Sequence, residues 1–433
     1  MIFVLTINRK KNNMLIFKFG GASVNSAAAV KNLTNVIKPY TDKLVIVISA
    51  MGKMTNAFEE LLQEYFNKGD KIQFHADKIR DFHFDIIKGL FDNSRHIIFS
   101  EIDTVFNDLQ KKLSQQPSEN YDYEYDRIVH YGELLSTKIT SIYLNENGIA
   151  NKWTDIRECL KTDSTYREAK VDWSKTAGLM NDTFTFKNER IYITQGFIGS
   201  THDDNTTTLG REGSDFTASV IAYCLNGESV TIWKDVPGVL NADPKWFDNT
   251  VQLNNISYLE AVELAYYGAT IIHPKTIKPL QNKDIPLFVK SFVSHTERGT
   301  VIDSNISEDS LIPSFIFRMN QVLISISARD YSFIMEDNLS QIFGIFADHG
   351  IKINMMQNSA ISFSVSVDHD KRKLPDLIDE LRTCYRVLYN ANLELVTIRH
   401  YDQATIDRVI ENKRILVEQK SRNTARFVMQ DLI

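Results

Sequence analysis

A lysine interrupts the apolar run of FKFGGASV (17–24), and two glycines follow it. Lys18 falls near the end of a stretch that reads as a buried strand. In open α/β sheets, ligands bind beyond the carboxyl ends of the strands, so a lysine there points at a ligand crevice. Gly20 and Gly21 leave backbone N–H groups open to an anion. Lysine plus a glycine nest is a phosphate-site composition. It is not a Walker A loop, because GxxxxGK[ST] occurs nowhere in the chain. A lysine paired with a local acid on an ordinary tight turn is the plain structural alternative.

Three further segments carry chemistry. In TTTLGREGSDFTAS (206–219), Gly210 and Gly213 flank Arg211, and Ser214 and Asp215 sit where a helix begins. A helix N-terminus attracts anions, and the planar fork of Arg211 suits a carboxylate. Asp215 suits a Mg²⁺ ion or a lysine, and Ser214 or Asp215 equally suits a helix cap. In TIWKDVPGVLNADPKWF (231–247), Lys234, Asp235, Asp243 and Lys245 follow a strand closely. Mixed charges among turn residues suit a nucleotide-phosphate pocket as well as a solvated loop. In HYGELLSTK (130–138), Glu133 lies on a helix with Ser136 and Thr137 one turn away. Its carboxylate suits a substrate ammonium group or a solvated helix face.

The elements that position these residues follow from periodicity. LIFKFGG and LVIVISAM are near-continuous apolar runs separated by a helical stretch with Val30, Leu33 and Ile37 on one face and Asn25 or Ser26 as its cap. Strand, helix, strand with such strands predicts a parallel sheet covered on both faces. Residues 56–145 repeat apolar positions at helical spacing and form a helical insert, interrupted by a surface loop over 115–125. Strands return at 190–199, 229–233 and 285–292. A Gly/Thr/Asp-rich loop spans 199–215, and helices follow near 215–226, 257–267 and 274–281. A linker near 303–310 precedes a β-α-β-β-α-β module of the ferredoxin-like kind. A shorter partial repeat starts near 385 and has no final helix and strand of its own.

Bulk properties exclude several classes. The chain has 433 residues with a net charge of −6, which argues against nucleic-acid binding. No apolar run reaches the roughly 20 residues of a membrane span. Cys159, Cys224 and Cys384 show no pair spacing, which fits a reduced cytoplasmic compartment. The first 13 residues read as a tail, with Met14 a possible start.

Taken together, six segments in order resemble aspartate kinases over nearly the whole chain. KFGGASV is similar to KFGGTSV, with Ala22 for threonine. VISAMGKMTNAFEELL resembles that family's second strand and turn, and GELLST is the same hexad. TLGREGSDFTA resembles TLGRGGSDFTA, with Glu212 for glycine. WKDVPGVLNADPK resembles WTDVDGVYTADPR, and YGATIIHPKTI resembles FGAKVLHPATL. The tail resembles paired ACT modules.

The resemblance implies a three-layer α/β/α amino-acid-kinase fold over 14–303, with ACT-like modules over 304–384 and 385–433. It implies L-aspartate and Mg²⁺-ATP as substrates and 4-phospho-L-aspartate as product, toward lysine, threonine and methionine. Lys18 would neutralise the phosphoryl group in flight and Asp215 would orient it. Arg211 would clamp a carboxylate, Glu133 would hold the ammonium, and Ser49 and Thr55 would bond substrate. ATP would lie on Gly20, Gly21, Lys234, Asp235, Lys245 and Thr270, with Mg²⁺ held mainly by its phosphates. Kinases for glutamate or N-acetylglutamate, and a catalytically silent amino-acid sensor, are the competing readings.

Departures cluster on the ATP side: Lys234 for threonine, Leu240 for tyrosine, Lys245 for arginine and Thr270 for lysine. Lys234 is expected to offset the lysine missing at 270. The resemblance also implies an amino-acid effector near Asn354 and Ser359, and a homodimer through the ACT modules. Asn354 and Ala360 stand where lysine-sensitive relatives carry acids, so a lysine ammonium would meet less negative charge.

Overall fold

The computed structural model describes residues 13–269, 272–330 and 332–432. Two compact units emerge. The first holds 1–239, 254–261 and 272–305; the second holds 240–253, 262–271 and 306–433. The tail up to residue 12 and Thr270 lie outside the described residues.

The first unit opens with β1 (Met14–Phe19), α1 (Ala27–Ile37) and β2 (Lys43–Ile48). Ser26 caps α1, accepting from the Ala29 N–H at 3.2 Å. The insert is α2 (Met54–Phe66), α3 (Ile72–Leu90), α4 (Ile97–Leu113), α5 (Tyr121–Val129) and α6 (Tyr131–Glu146). The loop expected over 115–125 ends early. The Asn120 side chain accepts from the Tyr123 N–H at 3.1 Å and starts α5 there. Next come β3 (Lys152–Thr154), α7 (Trp173–Thr183), β4 (Ile191–Gln195), β5 (Ile198–Ser200) and β6 (Thr206–Thr208). The loop expected over 199–215 is in part a hairpin, because β5 pairs antiparallel with β6. The chain continues through α8 (Gly213–Leu225), β7 (Ser229–Lys234), β8 (Asn255–Ser257) and α9 (Tyr258–Tyr267). It then forms α10 (Pro274–Asn282), β9 (Leu287–Ser291) and β10 (Thr300–Asp303).

The main sheet runs β3-β4-β2-β1-β7-β9-β10-β8. Every pairing is parallel except β9 with β10. β1 sits near the middle, so its side chains are covered on both sides. Phe17 and Phe19 point to one face. Phe19 stacks on Trp233 with ring centroids 6.0 Å apart. Lys18 points to the other face, toward α8. Register pairs Lys18 with Ile232. Strand alternation therefore puts Lys234 on the Lys18 face as well.

The second unit is an antiparallel sheet, β12-β13-β11-β14-β16-β15. Its elements are β11 (Ser314–Ser327), α11 (Glu336–Asp348), β12 (Ile353–Asn358), β13 (Ser362–Asp368), α12 (Leu374–Cys384) and β14 (Arg386–Arg399). They continue with α13 (Gln403–Ile410), β15 (Lys413–Lys420) and β16 (Thr424–Asp431). β11 and β14 are long and irregular in the middle, and each serves both modules. The second half of β11 and the first half of β14 complete the first module. The first half of β11 pairs with residues 395–399 of β14. It thus supplies the final strand that residues 385–433 do not. A buried cluster of Val322, Ile324, Phe346, Val365 and Leu377 forms the first module's core. A second cluster joins Phe315, Val396, Ile406 and Phe427 to Ala242 and Phe247 of the inserted 240–253 segment.

Candidate active site

The carboxyl end of β1 delivers Lys18 to the first turn of α8. The Lys18 Nζ lies 2.7 Å from the Asp215 Oδ1, with 11% and 4% of the side chains exposed. Such a pair out of water holds its geometry, because losing either partner strands a charge. α8 is not capped by Ser214 or Asp215. Glu212 occupies the cap position at φ 52°, and no side chain caps the helix. The Gly213 N–H donates to the Gly210 carbonyl at 2.9 Å and the Phe216 N–H to the Glu212 carbonyl at 3.1 Å, so Ser214 and Asp215 carry the first-turn N–H groups left for an anion. The Glu212 Oε2 instead accepts from the His273 N–H at 2.8 Å.

The two glycines after Lys18 differ in purpose. A Cβ on Gly21 would come within 2.6 Å of the Gly52 carbonyl oxygen and 2.8 Å of that of Ala50. Close packing against the turn after β2 therefore requires a glycine there. A Cβ on Gly20 would meet nothing nearer than the Lys18 Nζ at 3.5 Å. The space beside Gly20 is open to a ligand.

Thr55, Glu133 and Arg211 line one cavity of about 720 Å³. Glu133 is buried. One carboxylate oxygen accepts from the Ala50 N–H at 3.2 Å, and the other has no partner among the described residues. Burial pushes its pKa up to about 8. A buried acid with one open oxygen suits an incoming cation. Its helical neighbours have structural tasks. The Ser136 hydroxyl donates to the Ser49 carbonyl at 2.7 Å. Thr137 accepts from the Gln195 side chain at 2.9 Å and from the Trp153 indole at 3.0 Å. Ser49 is half-buried just past β2.

The remaining expected residues are more dispersed. Lys234 ends β7, half-buried, and its carbonyl accepts from the Phe292 N–H at 2.7 Å. Asp235 follows, exposed. Lys245 lies in the second unit, where its N–H donates to the Asp243 carboxylate at 2.9 Å. Asn354 is buried in β12. Its amide donates to Gln321 and Asp368, each at 2.9 Å. Ser359 is at the exposed turn between β12 and β13, bonded to Ser362. Structure therefore puts Asn354 in an internal network and Ser359 at a turn, rather than together in one pocket.

Sequence reasoning passed over Tyr125, Tyr166, Arg167 and Phe197, which also line the cavity. It also passed over Asp126, whose buried carboxylate accepts from the Thr208 hydroxyl at 2.6 Å and the Thr208 N–H at 2.9 Å. Burial raises its pKa to about 6. Neither periodicity nor spacing marks these positions, which meet only in the fold. Among the described residues no cluster of three or more His, Cys, Asp or Glu side chains could hold a metal alone. Among the described residues no helix is long and apolar enough to cross a membrane.

A lysine–aspartate pair at a strand end, an uncapped helix N-terminus and a cavity with a buried acid together suit an anionic, phosphate-bearing ligand. The chain belongs to the amino acid kinase family, whose model matches residues 13–291, and within that family to the aspartokinases. It is 30% identical over 386 residues to aspartokinase 2 of Arabidopsis thaliana, covering 84% of this chain and 69% of that one. It is 29% identical over 395 residues to the lysine-sensitive aspartokinase 3 of Escherichia coli, covering 89% and 87%. Structures of E. coli aspartokinase III superpose with TM-scores of 0.81 (with lysine and aspartate, T-state) and 0.79 (with aspartate and ADP, R-state). Sequence identity is 27% in both.

Proposed function

We infer that this enzyme transfers the γ-phosphoryl group of ATP to the side-chain carboxylate of L-aspartate. A carboxylate oxygen attacks the γ-phosphorus, the bond to the β,γ-bridging oxygen breaks, and ADP leaves with that electron pair. No proton moves, because the nucleophile is already ionised at neutral pH. Catalysis therefore reduces to positioning and charge neutralisation. The observation that carries this reading is the Lys18–Asp215 ion pair at 2.7 Å.

Lys18 is the fixed cation for the transferring group, and Asp215 aims it. Glu133 takes the substrate ammonium and Arg211 a carboxylate. Ser49 and Thr55 add hydrogen bonds at the turn after β2. Gly20 admits the ATP phosphates, Gly21 lets its turn close on the one after β2, and Lys234 and Asp235 extend that side along the sheet edge. Mg²⁺ arrives on ATP and is held mainly by its phosphates, as is usual where proteins offer one or two carboxylates.

Product and regulation follow from the same reading. 4-Phospho-L-aspartate is a mixed anhydride and opens the lysine, threonine and methionine routes. The cytoplasm holds both substrates, and we assign the enzyme there. Residues 14–303 carry catalysis. The modules over 304–384 and 385–433 carry control by an amino-acid effector and pair two copies of the chain. The test is ADP release from Mg²⁺-ATP. L-Aspartate should elicit it, while L-glutamate and N-acetyl-L-glutamate should not. Release with either of the latter alone would replace this reading.

A further inference from the structure

We propose that Arg167 is a second carboxylate-binding residue of the substrate cavity. With Arg211 it holds the carboxylate of L-aspartate that does not react. This rests on the reading of the cavity as an aspartate site.

Arg167 sits in a loop with a left-handed backbone, φ 67°. An L-residue other than glycine costs roughly 1–2 kcal/mol there. Such strain persists only where the surroundings fix it, and it concentrates at functional sites. Two contacts fix it here. The Arg167 N–H donates to both oxygens of Asp126, at 3.2 and 3.1 Å. Asp126 is fully buried and also bonds Thr208 of β6. On the other side, the Arg167 carbonyl packs against Gly210. A Cβ there would be 3.1 Å from that oxygen. Gly210 immediately precedes Arg211. The two arginine-bearing turns are thus pinned to each other through β6 and Gly210.

The Arg167 side chain is held without being used up. Its guanidinium lies 4.5 Å from the Tyr125 ring centroid. One nitrogen is 3.2 Å from the Asp122 carboxylate. A guanidinium has five donors, so several stay available to a planar acceptor. Both Arg167 and Arg211 line the cavity. The acids in the same wall are accounted for. Asp122 is on Arg167, Glu212 accepts from the His273 N–H, and Glu168 faces the charge of Lys275. Glu133 is left for the ammonium.

Geometry decides which carboxylate is held. Lys18, where the phosphoryl group passes, is not among the cavity's lining residues. The ammonium bound by Glu133 and the α-carboxylate share one carbon, so they must be bound side by side. The two arginines therefore take the α-carboxylate, and the side-chain carboxylate is left to reach out toward Lys18.

The experiment is steady-state kinetics on Arg167→Gly and Arg167→Lys in the full chain. Glycine adopts φ 67° freely, so the first variant removes the guanidinium without adding strain. Its KM for L-aspartate should rise about ten- to a hundredfold, the usual loss for a charge-assisted hydrogen bond. KM for ATP and the thermal midpoint should hold, and Arg167→Lys should fall between. An unchanged aspartate KM would overturn the proposal. So would a parallel rise in the ATP KM or a fallen midpoint, which would mark a structural role. Absence of any aspartate-dependent ADP release in the wild type would instead overturn the aspartate reading before a variant is made.

Discussion

The Lys18 Nζ and the Asp215 Oδ1 lie 2.7 Å apart, joining the end of β1 to the first turn of α8. A strand end and a helix N-terminus are both places where anions bind, and here they are tied by one ion pair. The pair holds the lysine at one position at the carboxyl end of the strand.

Removing either member should therefore abolish most turnover. Lys18→Ala should lower kcat by about 10²–10³, the usual cost of a lost electrostatic contact at a transition state. Asp215→Asn should cost nearly as much, and the double variant little more than Lys18→Ala alone. Fully additive losses in kcat would show that the two act separately.

Glu133 gives a pH dependence. Burial pushes its pKa up to about 8 from the ordinary glutamate value of 4.5. At neutral pH the free enzyme holds this acid mostly protonated, yet an ammonium group needs it ionised. Binding should release a proton, so apparent affinity for L-aspartate should rise by up to about tenfold per pH unit until about pH 8. KM for aspartate measured across that range checks this, and Glu133→Gln should flatten the profile.

The same group acts on stability with a definite sign. Between 4.5 and about 8 the folded chain keeps a proton that the unfolded chain has lost. Stability contributed by the neutral form is therefore lost as pH rises through that window. Glu133→Gln should raise the melting temperature at about pH 8 and leave it nearly unchanged at about pH 4, below both pKa values. Equal effects at both would contradict the shift.

The glycines after Lys18 should separate packing from binding. Gly21→Ala places a Cβ 2.6 Å from a carbonyl oxygen and should destabilise by about 1–3 kcal/mol. Gly20→Ala meets no such clash. It should leave the melting temperature unchanged and raise the KM for ATP.

Much of this site is legible in the sequence, for physical reasons. β1 and β2 are buried on both faces, so they read as unbroken apolar runs. Lys18, Glu133, Arg211 and Asp215 sit in segments whose glycines and turn residues break the periodicity. Other features needed long-range contacts. Asp126 binds partners 41 and 82 residues away, which no local window contains. Asp215 suits a cap or a lysine partner on local grounds, and its sequence neighbours do not decide between them. Lys18, nearly two hundred residues earlier, takes its carboxylate. The repeat from 385 looked incomplete because its last strand is the first half of β11, which precedes the first module.

Lys234 tests the ATP side. It shares the Lys18 face of the sheet, two positions further along β7. Lys234→Thr should raise the KM for ATP about fivefold, as expected for a half-exposed charge worth roughly 1 kcal/mol. The aspartate KM should hold. An unchanged ATP KM would remove Lys234 from the nucleotide site.

Trapping of the acyl phosphate reads out the transfer to the side-chain carboxylate itself. Purified chain is incubated with Mg²⁺-ATP, L-aspartate and hydroxylamine, and the hydroxamate is identified by mass and position. The account predicts L-aspartate β-hydroxamate from the wild type and none from Lys18→Ala. ADP formed without hydroxamate, or a hydroxamate at the α-carboxylate, would contradict it.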